Sequence, residues 1–220
     1  MLNEKELEIY YDHYKDTFLW LRKYLERRDK YFGYLILLIA VLYLNSWLRS
    51  DFEIIIKTLL SKKFGINGFS NFALIDSVLL FVVLSISIKY FQANLLIERQ
   101  YSYLHHIEKR LSRSLTSFNI FREGKAYLSN YPLVLSFIHR IYTIVFPVFL
   151  MLLVAIKWYS LVGSGINNSG FFMFDTIVCS LIIILTLLYL IWIHFRDFRK
   201  CKKVPNKALL ANKRNYEEQP

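Results

Sequence analysis

The sequence predicts an all-α integral membrane protein: four transmembrane helices, amphipathic cytoplasmic helices and a short interfacial helix on the outer face. Three observations carry that expectation. Windows dominated by Leu, Ile, Val and Phe recur at about 31–47, 69–91, 137–159 and 171–195, with most Lys and Arg outside them. The basic residues are unevenly shared among the connections. Apolar stripes at helical spacing run through the segments before the first window and after the second. Of 220 residues, 55% are hydrophobic, and so short a chain has too little surface to shield four all-apolar helices in a soluble core.

The chain opens with about 30 charged and aromatic residues, a pattern unlike a cleaved signal peptide, so the first window is expected to stay as an anchor. In segment 1–30, Leu7, Tyr11, Tyr14, Phe18, Leu21 and Leu25 form a near-heptad stripe, with Arg28 in the seam and Glu4, Glu8, Asp12, Lys15, Arg22, Lys23 and Glu26 around it. Such a stripe serves to pack against another helix. No break precedes Tyr31, so this helix is expected to run straight into the first span.

That span, about 17 residues, lies near the lower limit for crossing about 30 Å of hydrocarbon at 1.5 Å per residue. Tyr31, Tyr34, Tyr43 and Trp47 suit its two interfaces. Between the first two spans, Phe52, Ile55, Ile56, Leu59, Leu60 and Phe64 recur at helical spacing and Glu53 and Lys57 form an i,i+4 pair. This reads as a helix lying in the outer interface with its lysines snorkelling, the alternative being a helix packed on the bundle. Gly65 and Gly68 are its expected stops. The second span, closing the first hairpin (31–91), carries Asp76 near one end and Lys89 near the other.

Segment 92–136 continues from that span with Ile97, Tyr101, Leu104, Ile107, Leu111, Leu115 and Phe118 at intervals of three or four. This stripe matches the first in length, and antiparallel association of the two would bury both. The packing is expected either within one chain or between subunits of a homo-oligomer. Phe121-Arg122-Glu123-Gly124-Lys125 then marks a turn, with Tyr127, Tyr131 and Pro132 leading into the second hairpin (137–195). Arg140 sits near the start of the third span, Lys157 near its end, and Pro147 inside it predicts a kink or local break. The fourth span carries Asp175 near its beginning.

Charge sets the expected orientation. The tail, 196–220, has eight Lys or Arg against three Asp or Glu, whereas 160–170 has no charged residue. The positive-inside rule then places both termini and 92–136 in the cytoplasm and 160–170 outside. The 48–67 connection, with two more basic than acidic residues, opposes this weakly. The formal charge of +11 is accounted for by an anionic membrane surface. No nucleic-acid motif accompanies it, so membrane lipid rather than nucleic acid is the expected partner.

No chemistry-bearing motif stands out. His105 and His106 are adjacent, which is poor spacing for two ligands to one metal, while His13, His139 and His194 read as interfacial or seam positions. Cys179 reads as a small buried hydrophobe, and Cys201 sits among Arg199, Lys200, Lys202 and Lys203. Nucleotide loops, hydrolase elbows and zinc-protease motifs are missing, so the chain is read as a non-enzyme without metal or cofactor. The informative polar positions are Asp76, Arg140 and Asp175, either stabilisers at headgroup depth or an ion-entry feature. Convergence of Asp76 and Asp175 at the outer face would make an acidic vestibule able to hold cations or to bind Lys62 or Lys63. Ser77, Ser85, Ser87, Thr143, Ser180 and Thr186 are thin material for a polar pathway within one chain.

The order of amphipathic helix (Leu7 to Phe32), two spans, and amphipathic helix (Ile97 to Phe118) resembles two-span membrane effectors associated with bacterial defence systems; two further spans follow here, and four-span effectors form a related class. The resemblance covers about the first half of the chain and rests on layout. It implies a bacterial inner-membrane effector in antiviral defence, disrupting or signalling through the membrane after activation by a cytoplasmic protein partner, with no catalytic residue. The sequence reading is therefore an oligomeric membrane effector or sensor. A non-conducting scaffold that recruits a cytoplasmic protein is the alternative, and a small transporter the third.

Overall fold

The stretch from Glu4 to Trp47 holds no proline and one glycine, and it forms a single unbroken helix of 44 residues, α1. The stretch from Phe72 to Ser114 holds neither residue type and forms a second one, α3, of 43 residues. At 1.5 Å per residue each is about 65 Å long, more than twice the roughly 30 Å of a hydrocarbon core. The computed structural model describes residues 4–65, 72–114, 133–163 and 170–202. The remaining helices are α2 (Arg49–Phe64), α4 (Leu133–Arg140), α5 (Phe146–Gly163) and α6 (Gly170–Lys202), with a π-helical turn, Ile141–Val145, joining α4 to α5. Among the described residues, four helical stretches are long and apolar enough to cross a membrane: those within α1, α3 and α6, and the combined Phe137–Gly163 run.

Two apolar cores lie one after the other along the α1–α3 pair. The bundle core takes Leu35 and Leu42 from α1, Leu80, Val83, Leu84, Tyr90 and Phe91 from α3, Phe146, Leu150 and Val154 from α5, and Val178, Cys179, Ile182 and Tyr189 from α6. Beyond the bundle, α1 and α3 continue as a two-helix arm. There Tyr14 and Leu21 interlock with Ile97, Leu104, Ile107 and Leu111, flanked by Leu7, Tyr10, Phe18, Tyr24, Leu25 and Tyr101. The two stripes expected to associate therefore do so within one chain. Tyr11 differs, standing 54% exposed; Leu115 and Phe118 lie outside the described residues.

Polar contacts fix the register of the arm. His13 Nε2 meets the Tyr103 hydroxyl at 2.7 Å, Arg110 donates to the Tyr10 hydroxyl at 2.8 Å, and the Tyr14 hydroxyl donates to Glu108 Oε1 at 3.2 Å. Glu108, a charged residue next to Ile107 of the stripe, is 1% exposed. One helical step brings it inside because Tyr14 supplies a donor there.

At the opposite end of the bundle, α1 stops at Trp47 and α2 turns away, packing chiefly on α1. The expected Glu53–Lys57 pair forms at 3.8 Å. Ile54, Ile55 and Leu59 remain about half exposed or more, so the bundle leaves much of the apolar face of α2 uncovered. Gly65 ends the helix with φ +64°, its N–H donating to the Ser61 carbonyl at 3.2 Å. A residue with a Cβ resists that left-handed conformation. Gly68 lies outside the described residues.

Candidate functional site

The ends of the four long apolar stretches meet at a polar cluster just inside Trp47. Asn45 comes from the last turn of α1, Asp76 and Ser77 from the first turns of α3, Lys157 from α5 and Asp175 from α6. The Asn45 amide donates to Asp76 Oδ1. The Lys157 ammonium donates to the Ser46 hydroxyl at 2.6 Å and pairs with Asp76 Oδ2 at 3.5 Å, both side chains of that ion pair being mostly buried. Ser77 lies alongside the Asp175 carboxylate, with Asp76 and Lys157 within electrostatic reach. Asp175 is 5% exposed and Asn45 3%. Asp175 Oδ1 and Asn45 Oδ1 have no hydrogen-bond partner.

This geometry brings together Asp76 and Asp175, two of the three polar positions singled out in the sequence. Their cation is different from the one anticipated: Lys157 serves Asp76, while Lys62 and Lys63 are exposed. The Lys157 side chain is mostly buried, and its ammonium needs an anion there. Breaking such a buried pair from one side costs about 3–5 kcal/mol. Arg140 is exposed at the other end of the bundle and takes no part. A groove of about 590 Å³ beside the cluster is lined by Leu74, Ser77, Val78, Phe81, Phe171 and Phe174.

At the arm end, an aromatic nest surrounds the π turn. Phe32 packs edge-on against Tyr142 and Phe146, with ring centroids 4.9 and 4.6 Å apart, and Phe91 stacks on Tyr189 at 4.5 Å. The Arg28 guanidinium, paired with Asp29 at 2.8 Å, lies 4.2 Å over the Tyr142 ring. The expected break at Pro147 takes a specific form. The Phe146 N–H donates five residues back, to the Ile141 carbonyl. Continuing that register, residue 147 would donate to Tyr142, but proline has no N–H. The Tyr90 hydroxyl, from α3, donates to the Tyr142 carbonyl instead. A π turn at a proline thus becomes a cross-helix hydrogen bond.

Hydroxyls within the long apolar stretches are turned to their own helices. Ser77, Ser85, Ser87, Thr143, Ser180 and Thr186 each bond the carbonyl four residues earlier. Side chains satisfied in this way contribute little to a wet pathway.

Among the histidines, His139 Nε2 sits 3.1 Å from Glu98 Oε1. His106 lines a groove of about 580 Å³ with Arg99, Ser102, Tyr103 and Trp192. Among the described residues no three His, Cys, Asp or Glu converge to hold a metal. Cys179 is buried in the bundle core. The side chain of Cys201 and the 121–125 turn lie outside what is described. Sequence reasoning missed Asn45, although a lone amide after a dozen apolar residues was the available signal.

No family model matches the chain, and neither a curated protein nor a solved structure shows significant similarity to it.

Proposed function

We propose that this chain is a membrane effector or sensor in which a cytoplasmic two-helix arm is coupled to a four-span bundle and its outer polar cluster. The observation that carries this reading is the continuity of α1 and α3. Each runs without a break from the arm core to the cluster, where Asn45 of one bonds Asp76 of the other. A change in how the two helices pack at one end has no hinge in which to dissipate along either helix. Homo-oligomerisation and a change in membrane permeability are the outputs assigned to this coupling. The largely exposed apolar side chains of the spans, including Leu37, Phe149 and Leu188, favour a surface shared between lipid and other subunits.

A recruiting scaffold is favoured by one separate observation. Ile9, Tyr11, Leu19 and Trp20 stand about half exposed or more on the arm, outside its paired core, and suit a protein partner.

The two readings separate on Leu104→Asp, which puts a charge into the arm core. Circular dichroism and hydrogen exchange establish that the arm has loosened while the bundle stays protected. The coupling reading expects altered dye or ion leakage from proteoliposomes, or altered assembly mass in mild detergent. Loss of partner capture with leakage and assembly unchanged would rule out coupling in favour of the scaffold.

A further inference from the structure

Two buried oxygens of the outer cluster go without a hydrogen-bond donor. Lys157 turns to Ser46 and Asp76, and one N–H of the Asn45 amide goes to Asp76 as well. Two acceptor atoms are left over, Asn45 Oδ1 and Asp175 Oδ1, both more than nine-tenths buried by residue and without a partner. The charges are also unequal. With Asp76 and Lys157 cancelling, Asp175 remains as a carboxylate with no cation of its own, in a setting where an uncompensated charge is expensive.

We propose that this cluster binds one monovalent metal cation of sodium size, with Asp175, Asn45 and the Ser77 hydroxyl as protein ligands. Carboxylate, amide carbonyl and hydroxyl oxygens are the hard donors such an ion takes. A single positive charge balances the single negative charge left over. A divalent ion would bring a surplus charge into a low-dielectric site and finds no third acidic or imidazole ligand among the described residues. Asp175 stands on α6, Asn45 on α1 and Ser77 on α3, so the bound ion ties together three helices. It would favour the closed bundle over any state in which their ends separate.

This inference is independent of the coupling reading and is read by stability, not by permeability. The full chain in mild detergent, at constant ionic strength and neutral pH, is melted while sodium replaces choline. The midpoint is expected to rise with sodium and, above the dissociation constant, by a constant step for each tenfold increase. Radioactive sodium should bind at one ion per chain. Asp175→Asn should remain folded, its carboxylate replaced by a neutral amide, yet lose both responses. Ser85→Ala, on an exposed position of α3, should keep both. Equal midpoints in sodium and choline would overturn the proposal. So would stabilisation by acidification alone, which marks a protonated carboxyl, or a sodium response that survives Asp175→Asn.

Discussion

The Tyr90 hydroxyl donates to the Tyr142 carbonyl, and the reason lies in another residue's missing hydrogen. Pro147 cannot donate, the π turn makes Tyr142 the carbonyl left over, and Tyr90 supplies the donor. Tyr90→Phe should therefore destabilise the folded chain by about 1 kcal/mol, a typical net hydrogen bond, modest also in membrane settings. In a Pro147→Ala background the alanine N–H can serve the turn, and the same Tyr90→Phe change should cost close to nothing. Thermal unfolding in detergent of the four-member cycle checks this; equal costs in both backgrounds would contradict it. The proline was legible in the sequence as a break. Its remedy was not, because a partner 52 residues away leaves no local pattern. Asp76 and Lys157 pose the same difficulty: each was visible at a span end, but only the packing of α1, α3 and α5 chooses Lys157 over Lys62 or Lys63.

Elements were easier to read than partners. Period and composition gave the four apolar stretches, the run of α1 through Tyr31, the α2 helix and the pairing of arm stripes, because burial acts on whole faces. Glu108 escaped because one buried carboxylate breaks an apolar stripe without breaking its period. The end of α2 gives a prediction at this scale. Gly65→Ala places a Cβ at φ +64° and should cost about 1–2 kcal/mol. The loss should stay local, seen as faster amide exchange in the last turn of α2 with the bundle melting point barely moved. A matching loss throughout the bundle would mean that α2 is part of the cooperative core.

Across the whole molecule, burial is unequal. Only 17% of the apolar window in α1 is buried, against 39% in α3 and 28% in each of the other two. A single chain thus leaves the first apolar stretch mostly bare on the face turned away from the bundle core, with Ile36, Leu37 and Leu44 about half exposed or more. Either lipid or a second copy would cover such a face. The proposed oligomer predicts an intact mass in mild detergent of more than one chain, reduced by polar substitution at Leu37 while helicity is kept. A monomer under every mild condition would remove shared-pore versions of the function.

The cluster near Trp47 also has a history written into its order along the chain. Asp76 and Lys157 lie 81 residues apart, so at about 5–20 residues per second a ribosome needs roughly 4–16 s to deliver the second after the first. During that interval the acid has one cluster partner already made. Asn45, 31 residues upstream, is already made and would shelter it in a newborn hairpin until the lysine arrives, so this amide would serve biogenesis before it serves the finished protein.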